Sequence, residues 1–249
     1  MDQQTILTCA NLSSVAYLPS PDSFDFSTLE PDLKFVKRLH NQSTSIDGFI
    51  AVNAVTKVIY IVYQGTDCLK DLVVDAEVQF CNLNINNHVT EVHTGFHDGL
   101  ESIRPQLWSF DFSLYPEYTI YITGHSLGGA LATLTCYQLP MPTKPHLCTF
   151  GSPEVGDKAF AALCPSFTAE SVRMVHDDDL VPMLPGGSYV HVDARVRLDN
   201  NGNTEETFTL LKRIELWIKG SKLGALFSLS EHKITDYIAV IQLWIKNNK

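Results

Sequence analysis

One short segment limits this chain more than any other: Gly124-His125-Ser126-Leu127-Gly128-Gly129-Ala130, placed directly after Tyr118–Thr123. The preceding run is β-branched and aromatic, as a strand should be. The following run, Leu127–Leu139, reads as a helix stopped by Pro140 and Pro142. A G-x-S-x-G pattern alone is weak and fits any glycine-rich strand–helix turn. Between a strand and a helix it predicts a sharp turn with the serine in a strained conformation. Gly124 and Gly128 then leave room where a Cβ would collide with backbone. The Ser126 hydroxyl projects from the turn, and the Leu127 N–H points into the same space. That N–H lies at the positive end of the helix dipole, where a developing negative charge is favoured. His125 adjoins the serine, but neighbouring strand residues point oppositely, so it is expected to pack or orient the turn.

The remaining pattern supplies a frame for that turn. Phe49–Val52 and Val58–Tyr63 read as strands, Leu147–Phe150 and Val172–Val175 as short buried strands, and Tyr189–Leu198 as a late strand. Residues 2–18 read as a helix ended by Pro19 and Pro21, and residues 97–108 as a helix interrupted near its end by Pro105. Leu210–Ile218 and Ile234–Ile245 look amphipathic and helical. Strands alternating with helices predict an α/β fold, a mostly parallel central sheet covered by helices on both faces. No repeat or linker divides the 249 residues, so residues 1–249 are read as a single domain.

Charge and cysteine content exclude other classes. The net charge of -10 repels phosphate backbones, so no nucleic acid partner is expected. Membrane contact, where it occurs, should be apolar. The six cysteines show no C-x-x-C spacing, which argues against zinc and thioredoxin-like chemistry. The first basic residue is Lys34, and residues 1–20 are too polar for a leader's apolar core. The expectation is a cytoplasmic protein with reduced thiols, or one exported without an N-terminal signal.

Further segments carry a family resemblance. Val58–Asp67, containing Gln64-Gly65-Thr66-Asp67, resembles the strand and oxyanion loop of the class 3, or fungal-lipase-like, lipases. Val92-His93-Thr94-Gly95-Phe96 is similar to that family's V-H-x-G-F segment, and Phe150-Gly151-Ser152-Pro153-Glu154-Val155-Gly156 to its F-G-x-P-x-V-G block. Asp179-Leu180-Val181-Pro182 resembles its acid motif, and His232 followed by Tyr237 its terminal histidine motif. The blocks run in order from about residue 58 to 240. Gln64, Leu72 and Glu154 depart from the family pattern, which usually has Arg, Trp and Arg there. The resemblance implies the α/β-hydrolase fold and carboxylic-ester hydrolysis.

A serine hydroxyl needs a base to take its proton, and the base needs a carboxylate to hold its tautomer. In this fold the partners follow the serine as acid, then histidine. His146 precedes any good acid, and His176 would reverse the order. His191 lies within a strand pattern, although the resemblance gives a non-catalytic histidine near that place. His232 follows a polar stretch, where a loop can reach across a sheet edge. His232 is therefore the expected base, with His191 its competitor. Among Asp177, Asp178 and Asp179, the resemblance selects Asp179, with Asp178 as reserve. Asp193 would serve only if His191 were the base. The expected catalytic set is Ser126, Asp179 and His232, with Leu127 and Thr66 forming the oxyanion hole, Thr66 on the resemblance.

No metal or organic cofactor is required by such a cycle. The expected partner is a lipid or other ester substrate, an acylglycerol or phospholipid, or a dissolved short-chain or aryl ester. A non-catalytic lipase-like binding module is the alternative from another class. Residues 67–80 match the place of a lid, and Leu69, Leu72, Val73 and Ala76 would make an apolar stripe for transient contact with lipid surfaces. Leu210–Leu229 offers a second apolar surface. Ordinary packing explains either stretch equally well. Oligomeric state is not legible.

Overall fold

The computed structural model of the protein describes residues 1–66, 79–85, 87–139, 141–176, 179–192, 194–204 and 232–249. The strands are β1 (Leu33–Asn41), β2 (Ile46–Asn53), β3 (Val58–Tyr63), β4 (Phe80–Ile85), β5 (His88–His93), β6 (Thr119–His125), β7 (His146–Phe150), β8 (Glu170–His176) and β9 (Ala194–Leu198). The helices are α1 (Gln3–Val15), α2 (Thr94–Trp108), α3 (Leu127–Gln138), α4 (Lys158–Phe167) and α5 (Ile234–Asn247).

Seven strands form one sheet in the order β1-β2-β3-β6-β7-β8-β9, and β4 pairs with β5 in a separate hairpin. The first three strands are antiparallel. From β3 onward every pair is parallel. Parallel neighbours need crossovers, and α3 and α4 supply two of them. Parallel strands are buried on both faces and read as continuous apolar runs. Alternation along them splits the core in two. Ile59, Ile61, Ile120, Ile122 and Leu147 pack towards α2 and α3. Tyr60, Val62, Cys148, Phe150 and Met174 pack towards α1 and α5. The α3 helix is buried from Leu127 to Cys136, because the sheet and other helices enclose it.

Three expectations need adjustment. The α2 helix begins at Thr94 and runs through Pro105 to Trp108. Proline deprives only the carbonyl four residues earlier of its N–H partner, a loss tolerable in a last turn. The strand expected over Tyr189–Leu198 forms only from Ala194. Tyr189 instead stacks on Phe80 at 4.2 Å, so its burial belongs to a loop docked on the hairpin. The β1 strand, the β4–β5 hairpin and α4 are additional. Leu210–Ile218, Leu210–Leu229 and residues 67–78 of the expected lid lie outside the described residues. Cys9, Cys81, Cys136, Cys148 and Cys164 form no disulfide among the described residues. Among the described residues no helix is long and apolar enough to cross a membrane.

The topology gathers particular chain positions. β6, β7 and β8 run in one direction, with His125 beside Phe150 and Phe150 beside Met174. The residues that follow these strands therefore share one edge of the sheet, where α/β proteins bind ligands. Tyr63 lies beside Gly124, so Gln64–Thr66 continue next to His125 and Ser126.

Candidate active site

Ser126 sits in the turn between β6 and α3 with φ 60° and ψ −129°. That conformation is costly for a residue with a Cβ and persists only when its surroundings fix it. They do so here. The Ser126 N–H donates to the Phe150 carbonyl at 2.9 Å, and the Gly129 N–H donates to the Ser126 carbonyl at 2.9 Å. A Cβ on Gly124 would lie 2.3 Å from the Gly128 carbonyl carbon, and one on Gly128 would lie 2.4 Å from the Tyr63 oxygen. Both glycines of the motif are thus requirements of space.

Leu127 opens α3, so its N–H has no acceptor within the helix and faces the dipole's positive end. The loop after β3 closes the other side. A Cβ on Gly65 would lie 2.9 Å from the Ser126 Cβ, and Thr66 is the next residue. The two expected oxyanion donors therefore come from segments that flank Ser126.

Asp179 follows β8 and His232 precedes α5, and both are buried. His232 Nδ1 lies 2.7 Å from Asp179 Oδ2. A buried carboxylate must be fully paired. The Asp179 Oδ1 accepts from the Val181 N–H at 2.9 Å, and Oδ2 also accepts from the Tyr237 hydroxyl. With Nδ1–H donated to the carboxylate, the His232 Nε2 carries the lone pair. Burial, reinforced by the Asp179 carboxylate, pushes the Tyr237 hydroxyl well above its ordinary pKa and keeps it a donor. Gly151, with φ 57°, clears the space: a Cβ there would lie 2.8 Å from both His232 Cε1 and Asp179 Oδ2.

Ser126 Oγ and His232 Nε2 are both buried and have no hydrogen-bond partner among the described residues. The His232 ring lies 4.4 Å from that of His125, the residue before the serine. His125 is thus a packing neighbour of the histidine–carboxylate pair.

Four other histidines are committed elsewhere. His191 Nε2 lies 2.6 Å from the Pro182 carbonyl, to which it donates. Burial and then Arg173 depress its pKa to about 3. His176 Nε2 contacts Asn200 Oδ1 at 2.9 Å. His146 faces Glu170 at the far end of the strands. His93 Nδ1 accepts the Gly95 N–H at the start of α2, and burial lowers its pKa. Asp177, Asp178 and Asp193 lie outside the described residues. Glu154, one of the departures from the family pattern, accepts the Gly186 N–H at 3.0 Å and tethers the loop after Asp179.

Sequence reasoning did not assign a role to Tyr237, Gly151 or Tyr17. Gly151 stood in a family block, yet only its positive φ reveals the space it preserves. An open groove of about 470 Å³ lined by Leu83, Ile85, His97, Arg104, Trp108 and Tyr137 contains none of these residues. It lies between the β4–β5 hairpin and α2, and we assign the chemistry to the sheet edge, where the paired groups are.

Comparison with known proteins bears on family and fold. The model of the family described as Lipase (class 3) matches residues 60–189. A lipase from Rhizomucor miehei is 31% identical over 186 residues, 71% of this chain and 51% of the relative. The secreted mono- and diacylglycerol lipase 1 of Fusarium solani is 28% identical over 79% of this chain and 54% of its own length. The chain therefore spans about half the length of these curated relatives. A crystal structure of a lipase from Rhizopus microsporus var. chinensis superposes with a TM-score of 0.70 at 26% identity, covering 78% of this chain and 74% of that one. The fold is the α/β-hydrolase fold. The cytoplasmic expectation is overturned, because a secreted relative points away from that compartment. The expectation rested on polar residues 1–20, yet residues 3–15 form α1, packed beneath the sheet.

Proposed function

Because this chain belongs to the class 3 lipase family, we propose that it is a serine carboxylic-ester hydrolase acting on lipid esters. Residues 1–249 serve as one catalytic unit, a reading supported by the packing of α1 against α5 on one sheet face. His232 Nε2 accepts the Ser126 proton as Oγ bonds to the ester carbonyl carbon. The carbonyl oxygen becomes an oxyanion held by the N–H groups of Leu127 and Thr66. Asp179 stabilises the imidazolium and holds its tautomer. The C–O bond to the alcohol breaks, and His232 returns the proton to the departing oxygen. Water then adds to the acyl-enzyme by the same proton path and releases the acid. Every step uses side chains and backbone N–H groups of this chain, the ester and water.

One observation carries this reading. Ser126 Oγ and His232 Nε2, two of the buried polar atoms that lack a hydrogen-bond partner among the described residues, belong to the two groups that must exchange a proton. A fluorophosphonate probe should label the protein, and Ser126→Ala should abolish labelling and lower kcat by at least about 10⁴-fold. An unlabelled, folded wild type would instead identify a binding module. The lipid preference is tested by rate against acyl-chain length, below and above the solubility limit. A preference confined to dissolved short esters would defeat the lipid assignment while leaving the hydrolase.

A further inference from the structure

Tyr17 follows α1 and stands half-buried beneath the turn that carries Ser126. Its hydroxyl lies 2.7 Å from His125 Nδ1. It also lies over Gly65, where an added Cβ would come within 2.2 Å of it. His125 is buried, packs its ring on His232 at 4.4 Å and meets Tyr237 at 5.9 Å. One hydroxyl therefore touches the residue that supports the proposed base and the loop that carries a proposed oxyanion donor.

We propose that Tyr17, acting through His125, is a positioning residue for the hydrolysis: it fixes the His125 ring as the surface on which His232 rests. The proposal depends on the hydrolase reading above. A single hydrogen bond from His232 to Asp179 fixes one edge of the imidazole and leaves rotation about that axis. A flat neighbour removes this freedom, and the 31° tilt between the two rings is close enough for such contact. The neighbour must itself be held, and the bond to Tyr17 does so. It must also stay neutral, because a second cation would oppose formation of the imidazolium. Burial, and then the nearby His232, hold the His125 pKa well below its ordinary value. Gly65 completes the arrangement, since any side chain there would displace the hydroxyl and the loop together.

The test compares Tyr17→Phe, His125→Leu and the double variant on a dissolved p-nitrophenyl ester, with active sites counted by fluorophosphonate. Tyr17→Phe is expected to lower kcat per titrated site by about tenfold with KM within about twofold. The double variant should be no slower than His125→Leu alone, since residues acting in series are not additive. A role confined to folding would lower the unfolding midpoint and the number of titratable sites, and leave kcat per site unchanged. Unchanged kcat per site in Tyr17→Phe, or multiplying losses in the double variant, overturns the proposal. If His125→Leu does not fold, the split between kcat and KM in Tyr17→Phe decides alone. Failure of the wild type to label overturns the hydrolase reading itself, and this separates the two failures.

Discussion

The two faces of the central sheet are built differently. Towards α2 and α3 the contacts are almost wholly apolar: Ile59, Ile61, Phe96, Ile120, Leu131 and Leu134 are fully buried. One hydroxyl pair, Tyr63 with Thr135 at 2.8 Å, lies among them. Towards α1 and α5 polar groups recur through a buried to half-buried layer. Ser13 meets Thr123 at 3.3 Å, Tyr60 donates to Glu30, Tyr17 meets His125, and Tyr237 donates to Asp179. Dry packing is non-directional and supplies most of the folding free energy. Hydrogen bonds in a dry setting contribute little net stability but fix orientation, and each is costly to break singly. The first face therefore holds the sheet together, and the second aims side chains at its edge.

Substitutions on each side can break that division of labour. Asp179→Asn should have the largest effect, about 10⁴-fold in kcat, because an amide facing Nδ1 favours the wrong imidazole tautomer. Steady-state rates per titrated site decide it, and activity near wild type would remove Asp179 from the polar face's function. Leu131→Ala on the apolar face should cost about 2–5 kcal/mol of stability by leaving a cavity. Urea unfolding measures that loss, while kcat per folded molecule should be unchanged; a large fall in kcat would blur the two faces. Tyr237→Phe should have the smallest effect. Loss of a hydrogen bond to a buried carboxylate is worth about 1.5–3 kcal/mol, shared between stability and kcat, since the Val181 N–H still holds Asp179. An effect as large as that of Asp179→Asn would show that the hydroxyl does more than support the carboxylate.

What the sequence makes legible follows the same line. The strand–turn–helix around Ser126 can be read because glycine spacing and β-branched runs are local signals. β3 can be read to the residue, since both its faces are buried and its apolar run is unbroken. Convergence on the sheet edge is harder, because His232 and Asp179 are 53 positions apart and meet only through strand order. Chain order and family likeness bring them forward as candidates, and the 2.7 Å contact depends on tertiary packing. The β1 strand is missed because Lys34, Lys37 and Arg38 mask a strand with few buried positions. Gly151 and Tyr17 are missed for another reason. Their parts depend on which atoms come near them, and no local pattern encodes that.

The lateness of His232 and Tyr237 in the chain has a consequence for biosynthesis. The nucleophile turn, with β3, β6 and β7 around it, is complete once residue 151 has been translated. The imidazole and the phenol that steadies its carboxylate arrive only about 80 residues later, at roughly 5–20 residues per second. On the proposed mechanism, a ribosome-bound chain therefore carries the serine for seconds without its base, and ester cleavage begins only when α5 docks.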